Sequence, residues 1–189
     1  MKLPIKLLAA ITLASQLSAC VPVVVGGAAA TGMMAADRRT SGIYVEDQNI
    51  ELKTVKKIHD TLGAEAHVNV TSFKGNVLLT GEVPNENAKT QAGNIILATE
   101  SVRSLTNELV IGAKTSLSSR ANDSFLTSKV KTQFLTENRF SANHVKVVTE
   151  NSIVYLLGYV TQKEADAAVE IARNVSGVTT VVKVFEYMP

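Results

Sequence analysis

The sequence has little of the chemistry on which most catalytic and metal sites depend. It contains one cysteine and three histidines in 189 residues. A disulfide framework within one chain is therefore excluded, as is a structural zinc site built from cysteines. It also lacks a His-Glu-x-x-His motif, a Gly-x-Ser-x-Gly motif and any cluster of carboxylates along the chain. We therefore predict that the chain is not an enzyme and that it holds no cofactor and no metal ion.

An excess of positive charge is also missing. The chain has 19 lysines and arginines against 17 aspartates and glutamates, and the two excess charges, Lys2 and Lys6, lie in the first 19 residues, which contain no acid. A protein that binds nucleic acid normally has a basic excess that releases counterions from phosphates, so the composition predicts no nucleic-acid partner. The 46% hydrophobic content is too high for a disordered chain, so at least part of it folds.

The first twenty residues have the pattern of a targeting segment. Two lysines form a basic start, Leu7 to Leu13 is a short apolar core, and the run Leu17-Ser18-Ala19-Cys20 resembles a bacterial lipobox. At a lipobox the cysteine thiol is diacylated, the chain is cut just before the cysteine, and the new amino terminus is then acylated too. We therefore expect residues 1–19 to be a lipoprotein signal peptide and Cys20 to carry the lipid. The alternatives are an ordinary secretory signal and a short membrane anchor, although the apolar core is shorter than the roughly 18 residues that a spanning helix needs.

The amino-acid composition changes after Cys20. Residues 21–42 are rich in valine, glycine and alanine, lack aromatic residues and show neither a strand period nor a helix period. We therefore predict a lipidated, flexible tether over residues 20–43. Its glycines are not followed by Gly-Lys-Ser or Gly-Lys-Thr, which argues against a phosphate loop. The residue after the cysteine is Val21 rather than aspartate, which in enteric-type bacteria implies sorting to the outer membrane, with the domains facing the periplasm.

An internal sequence repeat predicts the domain architecture. A shift of 77 positions superimposes like residues: His67 on His144, Gly81 on Gly158, and Val83 on Val160. In each copy the periodicity switches in the order α-β-β-α-β. We predict one domain over residues 44–113, a linker over 114–121 and a second domain over 122–189. The equivalence of the two histidines predicts a structural role for both.

Each unit is predicted to be an α+β domain. A strand-helix-strand step implies a right-handed crossover, so two helices should cover one face of a three-stranded mixed sheet. The other face is left free to contact solvent. In the first helix, the predicted core face consists of residues at helical spacing: Leu52, Val55, His59 and Leu62. The predicted outward face of that helix is charged, with Lys53, Lys56, Lys57 and Asp60.

The repeated unit resembles the BON domain. The resemblance is carried by the αββαβ order and by a Gly-x-Val at the end of the second strand, in Gly81–Val83 and Gly158–Val160. Two such units behind a lipobox resemble the dual-BON outer-membrane lipoproteins of the DolP type, most closely in residues 24–32, 37–42 and 122–135. This resemblance implies binding of anionic phospholipids such as phosphatidylglycerol and cardiolipin through the first helix of the second domain. It also implies support of outer-membrane integrity, enrichment at division sites, and outer-membrane assembly or division-site proteins as candidate partners.

The helix over residues 123–136 has two apolar faces. Leu126, Val130 and Phe134 form one stripe and predict the core face. Phe125 and Leu135 fall on the opposite side, where an ordinary globular helix gains nothing from apolar residues. The predicted phospholipid-binding residues are this pair, the flanking lysines and the hydroxyl residues between them: Phe125, Ser128, Lys129, Lys131, Thr132 and Leu135.

Charge favours the second domain for this role. Residues 44–113 carry nine acids against six bases, whereas residues 122–189 carry seven of each, so an anionic bilayer repels only the first domain. Two alternatives stay open. Phe125 and Leu135 could pack against the first domain, or the protein could be a non-catalytic adaptor that binds another envelope protein or a cell-wall glycan, since exposed apolar residues mark protein partners as readily as membranes.

Overall fold

The computed structural model describes residues 37–189. The predicted signal peptide 1–19, Cys20 and the tether up to residue 36 lie outside the described residues. The first domain contains α1 (Ser41–Leu62), β1 (His67–Phe73), β2 (Asn76–Val83), α2 (Glu86–Leu97), β3 (Ser104–Asn107) and β4 (Val110–Ile111). The second contains α3 (Leu117–Glu137), β5 (Val145–Glu150), β6 (Ile153–Val160), α4 (Gln162–Arg173) and β7 (Thr180–Tyr187). The α+β class is confirmed.

Each sheet is mixed, as predicted. β1 and β2 form an antiparallel hairpin and β3 runs parallel to β2, an arrangement that β5, β6 and β7 repeat. The last strand of the first domain is interrupted, where the side chain of Asn107 accepts a hydrogen bond from the amide of Leu109 at 3.3 Å. Pairing with β2 resumes in β4, so the first sheet has four strands rather than the predicted three.

Two helices and one sheet face enclose the core of each domain. In the second domain the predicted core residues of α3, Leu126, Val130 and Phe134, are buried. The predicted core face of α1 is wrong: Leu52, Val55 and His59 are exposed, and the buried residues of this helix are Asp47, Ile50, Thr54 and Ile58. A search for hydrophobic periodicity does not find this buried stripe, because two of its four residues, Asp47 and Thr54, are polar.

The polar residues in the stripe of α1 are buried because their hydrogen bonds are satisfied. Asp47 accepts hydrogen bonds from Ser72 Oγ at 2.6 Å and from the backbone amides of Lys74 and Gly75 at 2.9 Å each. Burial would raise the pKa of the Asp47 carboxyl, but these bonds outweigh it and lower the pKa. Asp123 of α3 likewise accepts from two amides of the β5–β6 turn, at 3.0 and 2.8 Å. A buried carboxylate thus ties the first helix of each domain to its hairpin turn.

The two sheets pack against each other through the faces that no helix covers. Phe73 and Leu78 of the first domain form one buried apolar cluster with Tyr155 and Leu157 of the second. Burial raises the pKa of Tyr155 to about 12. The expectation that these faces contact solvent is therefore wrong. Alternation along each strand sends one set of side chains to the helices and the other set to the neighbouring sheet.

Ion pairs surround this apolar contact. Lys74 Nζ of the first domain lies 2.7 Å from Glu186 of the second and 3.5 Å from the ring centroid of Tyr159. In the other direction, Lys146 of the second domain lies 2.7 Å from Glu51 of the first. The two domains therefore exchange ion pairs in both directions, with the acid on the second domain in one pair and on the first domain in the other.

Helices extend into the ends of both the predicted tether and the predicted linker. α1 begins at Ser41, where the side chain of Thr40 accepts a hydrogen bond from the amide of Ile43, so helix occupies the end of the predicted tether 20–43. α3 begins at Leu117 behind its cap Ser116, so helix also occupies the last residues of the predicted linker 114–121.

Arg38, which lies just before α1 in the sequence, binds to the second domain. Its guanidinium donates two hydrogen bonds of 2.8 Å to the carboxylate of Glu164 and one of 2.9 Å to the carbonyl of Tyr159. Glu164 also forms the capping box of α4 with Thr161. Burial would raise the pKa of Glu164, but the bonds from Arg38, Thr161 and His144 outweigh it and lower the pKa to about 2.

The glycine of the first Gly-x-Val is required by a close approach. Gly81 has φ +114°, and a side chain there would overlap the carbonyl of His67 on β1. We predict that Gly81→Ala lowers the free energy of unfolding by about 1–3 kcal/mol from backbone strain alone, with the overlap adding to this loss. Gly112→Ala is the control, because no atom lies within 4 Å of its added methyl group. Urea denaturation followed by circular dichroism measures both. Equal stability of the two variants would contradict the close approach.

The lowered pKa of Glu164 predicts a pH dependence of stability. Its carboxylate stabilises the fold above its ordinary pKa of 4.5, and this contribution disappears as the pH falls towards about 2. We therefore expect Glu164→Gln to cost up to about 3 kcal/mol of unfolding free energy at pH 7, and the gap between the two proteins to close near pH 2. Urea denaturation at a series of pH values checks this. A gap that stays constant with pH would show that Glu164 acts without its charge.

Candidate lipid-binding surface

The candidate surface is the outer face of α3, which we define by Phe125, Ser128, Thr132 and Leu135. The helix is fixed at both ends: Ser116 Oγ accepts a hydrogen bond from the amide of Ser119 at 3.1 Å, and Asn138 ends the helix in the left-handed conformation. Leu126, Val130 and Phe134 pack into the core, so the residues on the opposite side of the helix turn away from the protein.

The apolar side chains of the outer face are exposed. Phe125 is 62% exposed and Leu135 is 69% exposed. Packing of this pair against the first domain, one of the two alternatives left open, is therefore wrong. Leu117, the first residue of the helix, is also exposed, and sequence reasoning missed it because it fell in the predicted linker. Together the three residues form an apolar row along a helix of roughly 30 Å.

The hydroxyl residues between them are small and internally bonded. Ser128 Oγ donates to the carbonyl of Ser124 at 3.0 Å, and Thr132 Oγ1 donates to the carbonyl of Ser128 at 2.9 Å. Their protons are therefore used within the helix. Because both side chains are small, the helix surface between Phe125 and Leu135 has no bulky side chain. Their hydroxyl oxygens can still accept hydrogen bonds.

The two lysines border the face in different ways. Lys129 is half-buried: its Nζ donates to the carbonyl of Ser176 at 2.6 Å and lies 5.6 Å from the ring centroid of Phe125. Lys131 is exposed and makes no hydrogen bond or ion pair within residues 37–189. Lys131 and Leu135 also line a groove of about 410 Å³ at the junction of the domains, which contains two aromatic residues, Tyr44 and Phe73.

The equivalent helix of the first domain exposes its charged residues Lys53, Lys56, Lys57 and Asp60, as predicted, but it exposes apolar residues as well. Val45, Leu52 and Val55 of α1 are exposed, with Leu52 70% exposed. The helices differ in charge. α1 carries four acids and three lysines, and its Lys56 is paired with Asp60 at 2.6 Å. α3 carries three cations and two acids, one of which is the buried Asp123.

The histidines are placed for structural contacts. His67 Nδ1 lies 3.1 Å from Glu82 and His144 Nδ1 lies 3.1 Å from Glu164, so each domain pairs its equivalent histidine with a carboxylate. His59, predicted to lie on the core face of the first helix, is instead exposed beside Asp60.

Within residues 37–189, the structure contains no helix that is long and apolar enough to span a bilayer.

The sequence matches known proteins along most of its length. The BON domain family matches residues 46–113 and again residues 122–189. Outer membrane lipoprotein DolP of Haemophilus influenzae is 40% identical over 174 residues, which cover 91% of this chain and 90% of the relative. The 21 kDa hemolysin of Actinobacillus pleuropneumoniae is 36% identical, covering 80% and 79%, and osmotically-inducible protein Y of Escherichia coli is 28% identical, covering 74% and 72%.

A solved structure of the C-terminal domain of CdsD, a structural protein of the type III secretion system of Chlamydia trachomatis, covers 73% of this chain at 12% identity and a TM-score of 0.31. A score this low carries no argument about the fold.

The chain belongs to the BON-domain family, as a dual-BON protein of the DolP type. The resemblance drawn from the αββαβ repeat and its Gly-x-Val is thereby confirmed. The relationship to DolP supports an outer-membrane lipoprotein of BON type.

Proposed function

We propose that this protein is anchored in the outer membrane through acyl chains on Cys20, faces the periplasm, and binds anionic phospholipids through the outer face of α3. It supports outer-membrane integrity without catalysing a reaction. The observation that carries the proposal is the exposure of Phe125 and Leu135 on a rigid helix, bordered by Lys129 and Lys131.

The outer face suits the boundary between headgroups and acyl chains. An amphipathic helix lying in that zone buries its apolar side chains about 5–10 Å deep, and removing a phenylalanine or leucine from water contributes on the order of 2 kcal/mol. Each lysine near an anionic surface adds about 1 kcal/mol. The free ammonium of Lys131 is available to a lipid phosphate such as that of phosphatidylglycerol or cardiolipin, whereas Lys129 must exchange its bond to Ser176.

Charge distinguishes α3 from α1. The exposed apolar residues of α1 lie on a helix with more acids than lysines, in a domain with nine acids against six bases. An anionic bilayer repels that helix, which leaves its apolar residues suited to a protein partner. The second candidate function, an adaptor for another envelope protein at the membrane or the division site, rests on this exposed row of α1.

Vesicle binding separates the two functions. We expect protein lacking residues 1–20 to bind vesicles that contain phosphatidylglycerol, to ignore neutral phosphatidylcholine vesicles, and to bind more weakly as salt shortens the Debye length from about 10 Å at 0.1 M to about 3 Å at 1 M. Phe125→Glu should weaken binding by about tenfold or more, because it removes buried apolar area and adds a charge that the surface repels. Co-sedimentation with vesicles measures both effects.

Leu52→Glu is the matched control, because Leu52 is as exposed on α1 as Leu135 is on α3. It should change binding less than about twofold, since α1 does not enter the bilayer in this proposal. Equal losses for Phe125→Glu and Leu52→Glu, or no loss for Phe125→Glu, would reject the outer face of α3 as the lipid site.

The anchor is tested separately. Cys20→Ala removes the thiol on which acylation depends, so we expect the protein to move from the membrane fraction to the soluble fraction of the periplasm. Fractionation followed by immunoblotting measures this. Retention of the variant in the membrane after a high-salt wash would contradict a lipidated Cys20. Lipid binding by the outer face of α3 is tested by the vesicle experiment and does not depend on this result.

A further inference from the structure

Three potential metal ligands meet where the two sheets pack together. His67 on β1 and Glu82 on β2 are cross-strand partners in the first domain, and both project toward the second domain. Glu150 of β5 reaches them from the second domain. His67 Nδ1 lies 3.1 Å from Glu82 Oε2 and 3.9 Å from Glu150 Oε1, and one ligand atom from each residue lies within 4.8 Å of the others. We call these residues the junction cluster.

The junction cluster has two carboxylates and no lysine or arginine. Glu82 is 3% exposed and Glu150 is 5% exposed, and neither forms an ion pair with lysine or arginine within the described part of the chain. Burying two carboxylates side by side is unfavourable unless a cation or a proton lies between them. Among residues 37–189, His67 is the basic group that lies within ion-pair distance of both carboxylates, and Arg120 lines the same cavity without pairing with either.

The repeat supplies an internal comparison. In the second domain, His144 Nδ1 lies 3.1 Å from Glu164, the same distance as in the junction cluster. There, however, Arg38 binds the carboxylate at 2.8 Å, where the junction cluster has a second carboxylate instead. The group next to each histidine–glutamate pair therefore differs by two units of charge. The pair in the second domain has the cation Arg38, whereas the pair in the junction cluster has the anion Glu150 and still lacks a cation.

The surrounding groups orient the ligands and leave one oxygen unused. Asn151 donates to Glu82 Oε1 at 2.8 Å, and Asn69 donates to Glu150 Oε2 at 2.8 Å. The backbone amide and the hydroxyl of Thr115 donate to Glu82 Oε2 at 3.1 and 3.3 Å. Glu150 Oε1 receives no hydrogen bond from residues 37–189, and Glu150 and His67 both line an open cavity of about 330 Å³. Such outer partners hold metal-binding carboxylates in place at known sites. The cavity gives an ion and one water molecule a way in.

We propose that His67 Nδ1, Glu82 and Glu150 bind a divalent transition-metal ion, with zinc as the best fit, and that the ion joins the two domains. Ligand atoms about 2.0–2.2 Å from a tetrahedral zinc ion lie roughly 3.3 Å apart, close to the 3.1 and 3.9 Å already present. An imidazole with two carboxylates favours zinc over magnesium or calcium, which prefer oxygen ligands alone. Water from the cavity completes the coordination.

Zinc titration of the full chain, purified in detergent, tests this proposal. Isothermal titration calorimetry should give one site with a Kd below about 10 µM, and zinc should raise the thermal unfolding midpoint because it binds only the folded, docked domains. His67→Gln and Glu150→Gln should each weaken binding by about tenfold or more. His144→Gln is the matched control, because it removes the equivalent histidine from a pair that already has its cation, and it should bind zinc as the parent protein does.

The unaltered protein provides a second readout that does not depend on the stability of any variant. With three histidines in the chain, the imidazole nitrogen resonances are few enough to assign, and stoichiometric zinc should shift those of His67 but not those of His59 or His144. A shift confined to the exposed His59, zinc binding that His67→Gln leaves unchanged, or no saturable binding would each overturn the proposal and leave the junction cluster as a hydrogen-bonded ion pair.

Discussion

The packing of one sheet on the other is the contact on which the rest of the structure depends. A domain of about 70 residues buries too little surface for a robust core of its own, and here Phe73, Leu78, Tyr155 and Leu157 give both domains a shared apolar layer. This packing uses the sheet faces that the helices leave open. It therefore leaves the four helices of residues 37–189 on the outside of the pair of sheets, and Phe125 and Leu135 on the outer face of α3 stay exposed.

The fold was predictable where apolar residues follow one clear period. Leu126, Val130 and Phe134 predicted the core face of α3 correctly. The prediction for α1 was wrong because its buried face includes two polar residues: Asp47, whose hydrogen-bond donors come from the β1–β2 hairpin, and Thr54, which donates to the carbonyl of Ile50 in the same helix. Sheet docking was not predictable for a similar reason. Its faces mix apolar residues with polar ones such as Glu82, whose partners come from distant parts of the chain, so the pattern is typical of a solvated surface.

The functional residues were likewise predictable only in part. Phe125 and Leu135 stood out in the sequence because they are apolar residues opposite an apolar core stripe, and that periodicity needs no knowledge of tertiary structure. The junction cluster lies beyond such reasoning, since His67, Glu82 and Glu150 share no motif and meet only when two sheets dock. Local patterns reveal what one helix presents, whereas groups assembled from several strands require the fold.

The contact between Arg38 and Glu164 has a mechanical consequence. Arg38 precedes the first domain in the chain but is bound to the second, by two hydrogen bonds to the carboxylate and one to a backbone carbonyl. A force applied to the chain before Arg38, such as the proposed lipid anchor at Cys20 would transmit, reaches the second domain at Arg38 before it reaches α1. Both domains then carry the force, because the bonds of Arg38 to Glu164 and Tyr159 must break before the first domain carries it alone.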